Sequence, residues 1–312
     1  MTVKAQALAW IMYQATDLSL MQKFMTDFGL FPVTVANQRD DILYLRGSSK
    51  APVIHATRKG DENRFLGLGV TVASEDDLHQ LTDHPGASGV EHNPMPGGGL
   101  QVRLQTPDGI EICAIYGAEP AVLLPFRDPH LFNSAFDKPR VNASIRARPE
   151  IVPVLSLGHC VLRVSSCEQS TRWFEQTLGM IVSDYICTPD ERPVGAFMRF
   201  DHGDVLVDHH SLLINEAKEI GVHHCGFEMQ DIDSIHAAHD YLVSQGYQLE
   251  CGVGRHLLGS QIYDYWMDPF GNRVEHYTDG DVVNHHHQPT RFCGSAEGTT
   301  QWGMKVPPSF FE

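Results

Sequence analysis

One long unit of chain is used twice, and this repetition constrains the fold more than any other feature of the 312 residues. LAWIMYQATDLSLMQKFMTDFGLFPV, from Leu8, returns as LGHCVLRVSSCEQSTRWFEQTLGMIVS, from Leu157. Each copy reads as a short apolar strand, a polar cap and a helix closed by glycine, Gly29 or Gly179. In the first helix Leu20, Phe24 and Phe28 recur every fourth residue, which predicts one buried face. In the second, Ser166 with Gln169 three residues on predicts a capping box. The middles also match: GLGVTVASEDDLHQL parallels HCGFEMQDIDSIHAAHDYL as strand, acidic helix start and helix. The ends match as strand, Pro/Gly turn and strand, LQTPDGIEICAIYG against YWMDPFGNRVEHYTDG. The expectation is an α+β chain of paired βαβββ modules, two duplicated domains that each curl a sheet around a funnel.

The expected boundaries are residues 1–135 for the first module, 136–152 for a linker, 153–290 for the second module and 291–312 for a tail. The connecting stretch FRDPHLFNSAFDKPRVNASIRARPEIVP is rich in Pro, Arg and Asn and has no periodicity. The tail carries turn residues and a final aromatic cluster. His285, His286 and His287 within it read as a solvated loop, since no rigid, spaced partner stands nearby.

Composition excludes several classes. A formal net charge of −16 argues against nucleic acid as a partner, because phosphate binding needs a basic surface. No apolar run approaches the ~20 residues that span a bilayer. The N-terminus has neither an h-region nor a cleavage site, so a cytoplasmic location is expected. Seven cysteines, an odd set without CxxC spacing, argue for reduced thiols over disulfides or zinc-thiolate sites. Histidine is the unusual count: 18 in all, and 13 of these after residue 150.

Superposing the copies shows what distinguishes them. His159, in the first strand of the second copy, falls opposite Trp10 or, counted back from the helix glycines, Ala9. Aligning Gly226 with Gly69 sets His224 against Gly67. Glu275 follows Gly271 by four residues, as Cys113 follows Gly109. The first copy offers no imidazole or carboxylate at any of these places, whereas the second offers a metal ligand at each. Two neutral imidazoles and one carboxylate give a ferrous ion three protein ligands on one face and leave the opposite face open.

With these residues in view, the sequence resembles the type I extradiol dioxygenases of the vicinal oxygen chelate superfamily, which includes the 2,3-dihydroxybiphenyl and catechol 2,3-dioxygenases. The resemblance covers nearly the whole chain. Its most specific stretch is GVGRHLLGSQIYDYWMDPFGNRVEHYTDGD, Gly252 to Asp281, whose wording is most similar to the trihydroxytoluene and dihydroxycumate cleaving branch. The chain departs from the family where Leu258 and Gly259 replace an asparagine and an aspartate. The resemblance implies Fe(2+) held by His159, His224 and Glu275, and His210 as the acid–base residue. It further implies that His256 and Tyr265 hydrogen-bond the substrate. Each of His210 and His224 follows a second histidine. The SLLI run favours His210 over His209, and the spacing to Glu228 favours His224 over His223.

The implied activity is extradiol cleavage of a catechol-type diol with O2, in a chain that forms a homo-oligomer without nucleic acid or membrane partners. Phe197, Met198, Ile262 and Trp266 are expected in the pocket wall. Two alternatives share the fold. One is a metal-dependent isomerase or lyase of the glyoxalase type, and the other is a non-catalytic protein that binds an aromatic ligand.

Overall fold

The computed structural model describes residues 3–34 and 41–311. The first copy gives β1 (Ala5–Ala15), α1 (Leu18–Asp27), β2 (Phe31–Pro32), β3 (Ile42–Arg46), β4 (His55–Lys59) and β5 (Arg64–Val72). It continues with α2 (Glu75–Leu81), β6 (Glu91–His92), β7 (Leu100–Gln105) and β8 (Glu111–Tyr116). The second copy gives β9 (Ser156–Val164), α3 (Cys167–Leu178), β10 (Ile181–Cys187), β11 (Pro193–Arg199), β12 (Val207–Asp208) and β13 (Leu212–Glu216). After these come β14 (Gly221–Glu228), α4 (Ile232–Ser244), β15 (Gln248–His256), β16 (Ile262–Met267) and β17 (Arg273–Thr278). The last strands are β18 (Val282–Val283), β19 (Thr290–Phe292) and β20 (Thr300–Gly303), with a 3-10 turn at Pro308–Phe311.

The sheet orders carry the duplication into three dimensions. The first sheet runs β2-β3-β4-β1-β5-β8-β7-β6 and the second β19-β10-β11-β13-β9-β14-β17-β16-β15-β20. The first strand of each copy lies between one parallel and one antiparallel neighbour: β4 and β5 flank β1, and β13 and β14 flank β9. The two-module α+β reading therefore holds. The segment from residue 290 onward adds β19 and β20 to the two edges of the second sheet. No helix among the described residues is long and apolar enough to cross a membrane.

Helix burial departs from the sequence reading at one place. The buried face of α1 is Met21, Phe24 and Met25, continued by Phe28, while Leu20 is 44% exposed. A strict four-residue step drifts around a 3.6-residue helix, so the i, i+3, i+4, i+7 set keeps the core side and Leu20 falls off it. The reciprocal capping box also lies elsewhere, at Ser74 and Asp77 of α2, whereas Ser166 caps α3 by accepting from the Gln169 N–H. Gly179 ends α3 in the left-handed region at φ 63°, where a side chain would be strained.

The copies are clamped together at Asp27. Its carboxylate accepts from Lys23 Nζ at 2.6 Å, Tyr247 Oη at 2.5 Å and Tyr241 Oη at 3.3 Å, the two tyrosines belonging to the second copy. Burial alone would raise its pKa, but these donors win and hold it below the usual 3.8. A depressed folded pKa means that the stabilisation is complete above the unfolded value and fades as pH falls through the folded one. Asp27→Asn is expected to lose about 1–3 kcal/mol, as for hydrogen bonds to a charged group. In urea titrations the loss should be constant from pH 5 to 8 by order of magnitude and shrink below about pH 4. A difference that grew in acid would refute the clamp.

Candidate metal centre

Strand register decides which side chains can meet. Gly226 on β14 pairs with His159 on β9 and with Glu275 on β17, and Glu275 pairs in turn with Tyr265 on β16. One row thus crosses four adjacent strands as His159, Gly226, Glu275 and Tyr265. His224 stands two residues before Gly226, on the same face. Gly226 is the gap in this row: a Cβ there would collide with the imidazole of His159. The first module repeats the row as Trp10, Gly69 and Cys113. Register thereby selects Trp10 over Ala9 as the counterpart of His159. There the space is filled by an apolar cluster of Trp10, Tyr44, Val53, Met95, Cys113 and Ile115.

In the second module the space is bounded by candidate ligand atoms. His159 Nε2 lies 2.8 Å from Glu275 Oε2 and 3.3 Å from His224 Nε2, and His224 Nε2 lies 3.4 Å from Glu275 Oε2. Ligand atoms about 2.1 Å from one ion on a face of an octahedron stand about 3.0 Å apart, so this triangle fits a single divalent cation. Glu275 is fully buried, and among the described residues its Oε1 has no hydrogen-bond partner. Burial opposes its charge, but the two imidazoles hold the carboxyl well below the usual range. Burial depresses His224 to about 4 despite the carboxylate beside it, so it is a neutral donor at pH 7. His223 points away from the triangle: its Nε2 meets Arg273 Nη1 and the Phe310 carbonyl, while its Nδ1 lies 2.6 Å from His224 Nδ1.

The other expected residues gather around this triangle. The ring of His210 packs 4.9 Å from that of His159, and burial among imidazoles pushes its pKa well below 6.5. His256 Nε2 lies 2.8 Å from Tyr265 Oη and 4.0 Å from Glu275 Oε1. Burial brings His256 down to about 4 and pushes the Tyr265 phenol well up, so the first is neutral and the second is a protonated donor. His209 does not face away from His210, as strand alternation would have it. The pair sits in a bend between β12 and β13, both rings are buried, and their Nδ1 atoms are 3.1 Å apart.

A cavity opens on the triangle, lined on one side by Val161, Ile186, Phe197, Leu213 and Leu258 and on the other by His256, Tyr265, Thr299 and Phe310. Of the four wall residues expected from sequence, only Phe197 lines it. Met198 and Trp266 alternate to the opposite faces of their strands and join the main core, and Ile262 lines a different cavity. Phe310, from the terminal aromatic cluster, completes the wall, and no sequence feature marks it for that place. Its ring stacks against Arg273, whose guanidinium lies 4.4 Å from it. His285 and His286 lie exposed beside Asp204, as expected of a solvated loop, but His287 departs from that reading: it is half-buried, with its Nε2 3.0 Å from the Ser183 carbonyl.

Residues 156–276 match the model of the Glyoxalase/Bleomycin resistance protein/Dioxygenase superfamily. The chain is similar to metapyrocatechase 2 of Cupriavidus necator, 25% identical over 306 residues that cover 95% of this chain and 88% of that protein. It is also similar to an iron-dependent extradiol dioxygenase of Rhodococcus jostii strain RHA1, 24% identical over 89% of this chain and 90% of that one. The fold is shared with a Mn(II)-bound glyoxalase from Novosphingobium aromaticivorans, at a TM-score of 0.81 and 20% identity over 99% of this chain and 95% of that chain. Residues 156–276 thus form a module of the Glyoxalase/Bleomycin resistance protein/Dioxygenase superfamily, set in a two-module chain of the vicinal oxygen chelate fold.

Proposed function

We propose that the chain is an extradiol dioxygenase that cleaves a catechol-type diol with O2 at one ferrous ion held by His159, His224 and Glu275. The observation that carries this reading is the row in which Gly226 leaves a gap between His159 and Glu275 while His224 closes the triangle. Two imidazoles and a carboxylate on one face are the donor set of ferrous oxygenase sites. Iron bound there supplies Lewis acidity toward the diol and one-electron reactivity toward oxygen.

The remaining chemistry falls to this chain's own groups. His210, neutral and next to the triangle, takes the proton released as the diol binds and later returns it. Tyr265 and His256 form a hydrogen-bonded pair that receives a substrate oxygen and fixes the ring plane. The apolar wall of Val161, Phe197, Leu213, Ile186 and Leu258 keeps water from the reacting atoms and strengthens each polar contact inside.

That wall also bears on substrate choice. Among the described residues no lysine or arginine lines the cavity, so a carboxylate on the ring would be buried unpaired at a cost of several kcal/mol. The test is anaerobic loading with one Fe(2+) per chain, then oxygen uptake across a panel of catechols. Diols with neutral apolar substituents should turn over, and carboxylated ones should lose at least about 100-fold in kcat/KM. Equal use of both kinds would refute the substrate assignment. Absence of uptake with every diol, or function only with manganese on a hemithioacetal, would refute the dioxygenase and favour the glyoxalase-type alternative.

A further inference from the structure

Behind His210 lies a buried chain of polar groups that leads away from the cavity. His210 Nδ1 meets His209 Nδ1 at 3.1 Å, and His209 Nε2 meets Asp184 Oδ2 at 2.8 Å. The other carboxylate oxygen, Oδ1, accepts from the Thr290 backbone N–H and hydroxyl, both at 2.6 Å. Asp184, His209 and His210 are each no more than 5% exposed. His287 also approaches Asp184, at 3.9 Å, but both carboxylate oxygens are already engaged, so the group reads as a hydrogen-bond chain and not as a second cation site. Gly259 seals the Nδ1 pair from one side: a Cβ there would come within 3.1 Å of His209 Nδ1 and 3.4 Å of His210 Nδ1.

Donor counting along the chain has a single solution for neutral rings. The Asp184 carboxylate can only accept, so His209 Nε2 carries the hydrogen. Its Nδ1 is then a lone pair, so His210 must donate through Nδ1–H. His210 Nε2 is left as the unprotonated nitrogen of a ring that lines the cavity. We infer that Asp184 and His209 are positioning residues that lock His210 in the Nδ1–H tautomer and so present a basic Nε2 to the substrate. The inference rests on the reading of His210 as the proton-transfer residue of a dioxygenase.

Asp184→Asn gives a directional test. Thr290 offers two donors to the Oδ1 position, so the amide oxygen must sit there and the NH2 must face His209. The amide then donates to His209 Nε2, His209 donates through Nδ1–H to His210, and His210 is driven to the Nε2–H form that cannot accept. Nitrogen-15 spectra of the histidine-labelled full-length chain, freed of paramagnetic metal by chelation, read the tautomers directly, with His210→Phe supplying the assignment. The expected result is Nδ1–H at His210 in the native chain and Nε2–H in Asp184→Asn. In the iron-loaded enzyme kcat should fall about 10²–10⁴-fold with KM little changed, as when a base is left in the wrong tautomer. Nε2–H at His210 in the native chain, a doubly protonated His209, or tautomers unmoved by Asp184→Asn would overturn the inference. The native spectrum decides the matter even if the variant fails to fold. Expected tautomers with no oxygen uptake on any catechol would instead sink only the dioxygenase reading.

Discussion

Glu275→Ala is expected to abolish turnover and to lower iron occupancy by more than about 100-fold in affinity while leaving the fold intact. Losing a group that merely supports a ligand costs about 10–100-fold, and this substitution removes a ligand and its charge together. Its Oε2 lies 2.8 Å from His159 and 3.4 Å from His224, so both imidazoles lose their shared partner. The fold should survive because His224 is already neutral when buried and needs no counter-charge. Metal analysis with far-ultraviolet circular dichroism separates the outcomes. A folded variant with full iron and normal turnover would remove Glu275 from the site, and an unfolded one would make its role architectural.

His210→Phe should behave in the opposite way toward the metal. It should retain iron and bind catechol, yet lose about 10²–10⁴-fold in turnover, the range for losing a positioned proton-transfer group. A phenyl ring suits the site, since His210 already packs edge-on to Phe197 at 4.9 Å. His209→Phe, which strand alternation would make mild, is expected to be slow as well, because it cuts the link to Asp184 and leaves that buried carboxylate short of a donor. Single-turnover kinetics with iron content measured in parallel decides between them. Normal turnover in His210→Phe would move the proton traffic to His256 or Tyr265.

The parts legible in the sequence share one physical origin. Duplication compares a chain with itself, so the module whose His159, His224 and Glu275 meet could be read against the module without them. Trp10, Gly67 and Cys113 are informative only because His159, His224 and Glu275 hold their places. What stayed hidden depends on a bend or on partners far apart in the chain. The period-2 rule fails at His209 and His210 because the chain there has left the strand. Asp184 carries no local mark of its role: its partners lie 25 and 106 residues away, His209 in the bend before β13 and Thr290 on β19, which pairs with β10. Leu20 and Trp266 depart from expectation for a related reason, since residue type alone does not say which side of an element faces the core.

The three residues of the triangle each have a buried successor, Cys160, Cys225 and His276. By alternation these successors turn toward the first module. Tyr13 reaches Cys225 at 3.5 Å, and His276 Nε2 donates to the Phe28 carbonyl at 2.7 Å while its ring stacks on that of Phe28. The strands that hold the triangle are therefore the same strands that hold the junction, with one face given to each. A displacement of these strands at the junction would be carried to the triangle, because the same backbone positions both faces. The first module, which lacks the triangle, thereby forms the floor on which the second module's triangle-bearing strands rest.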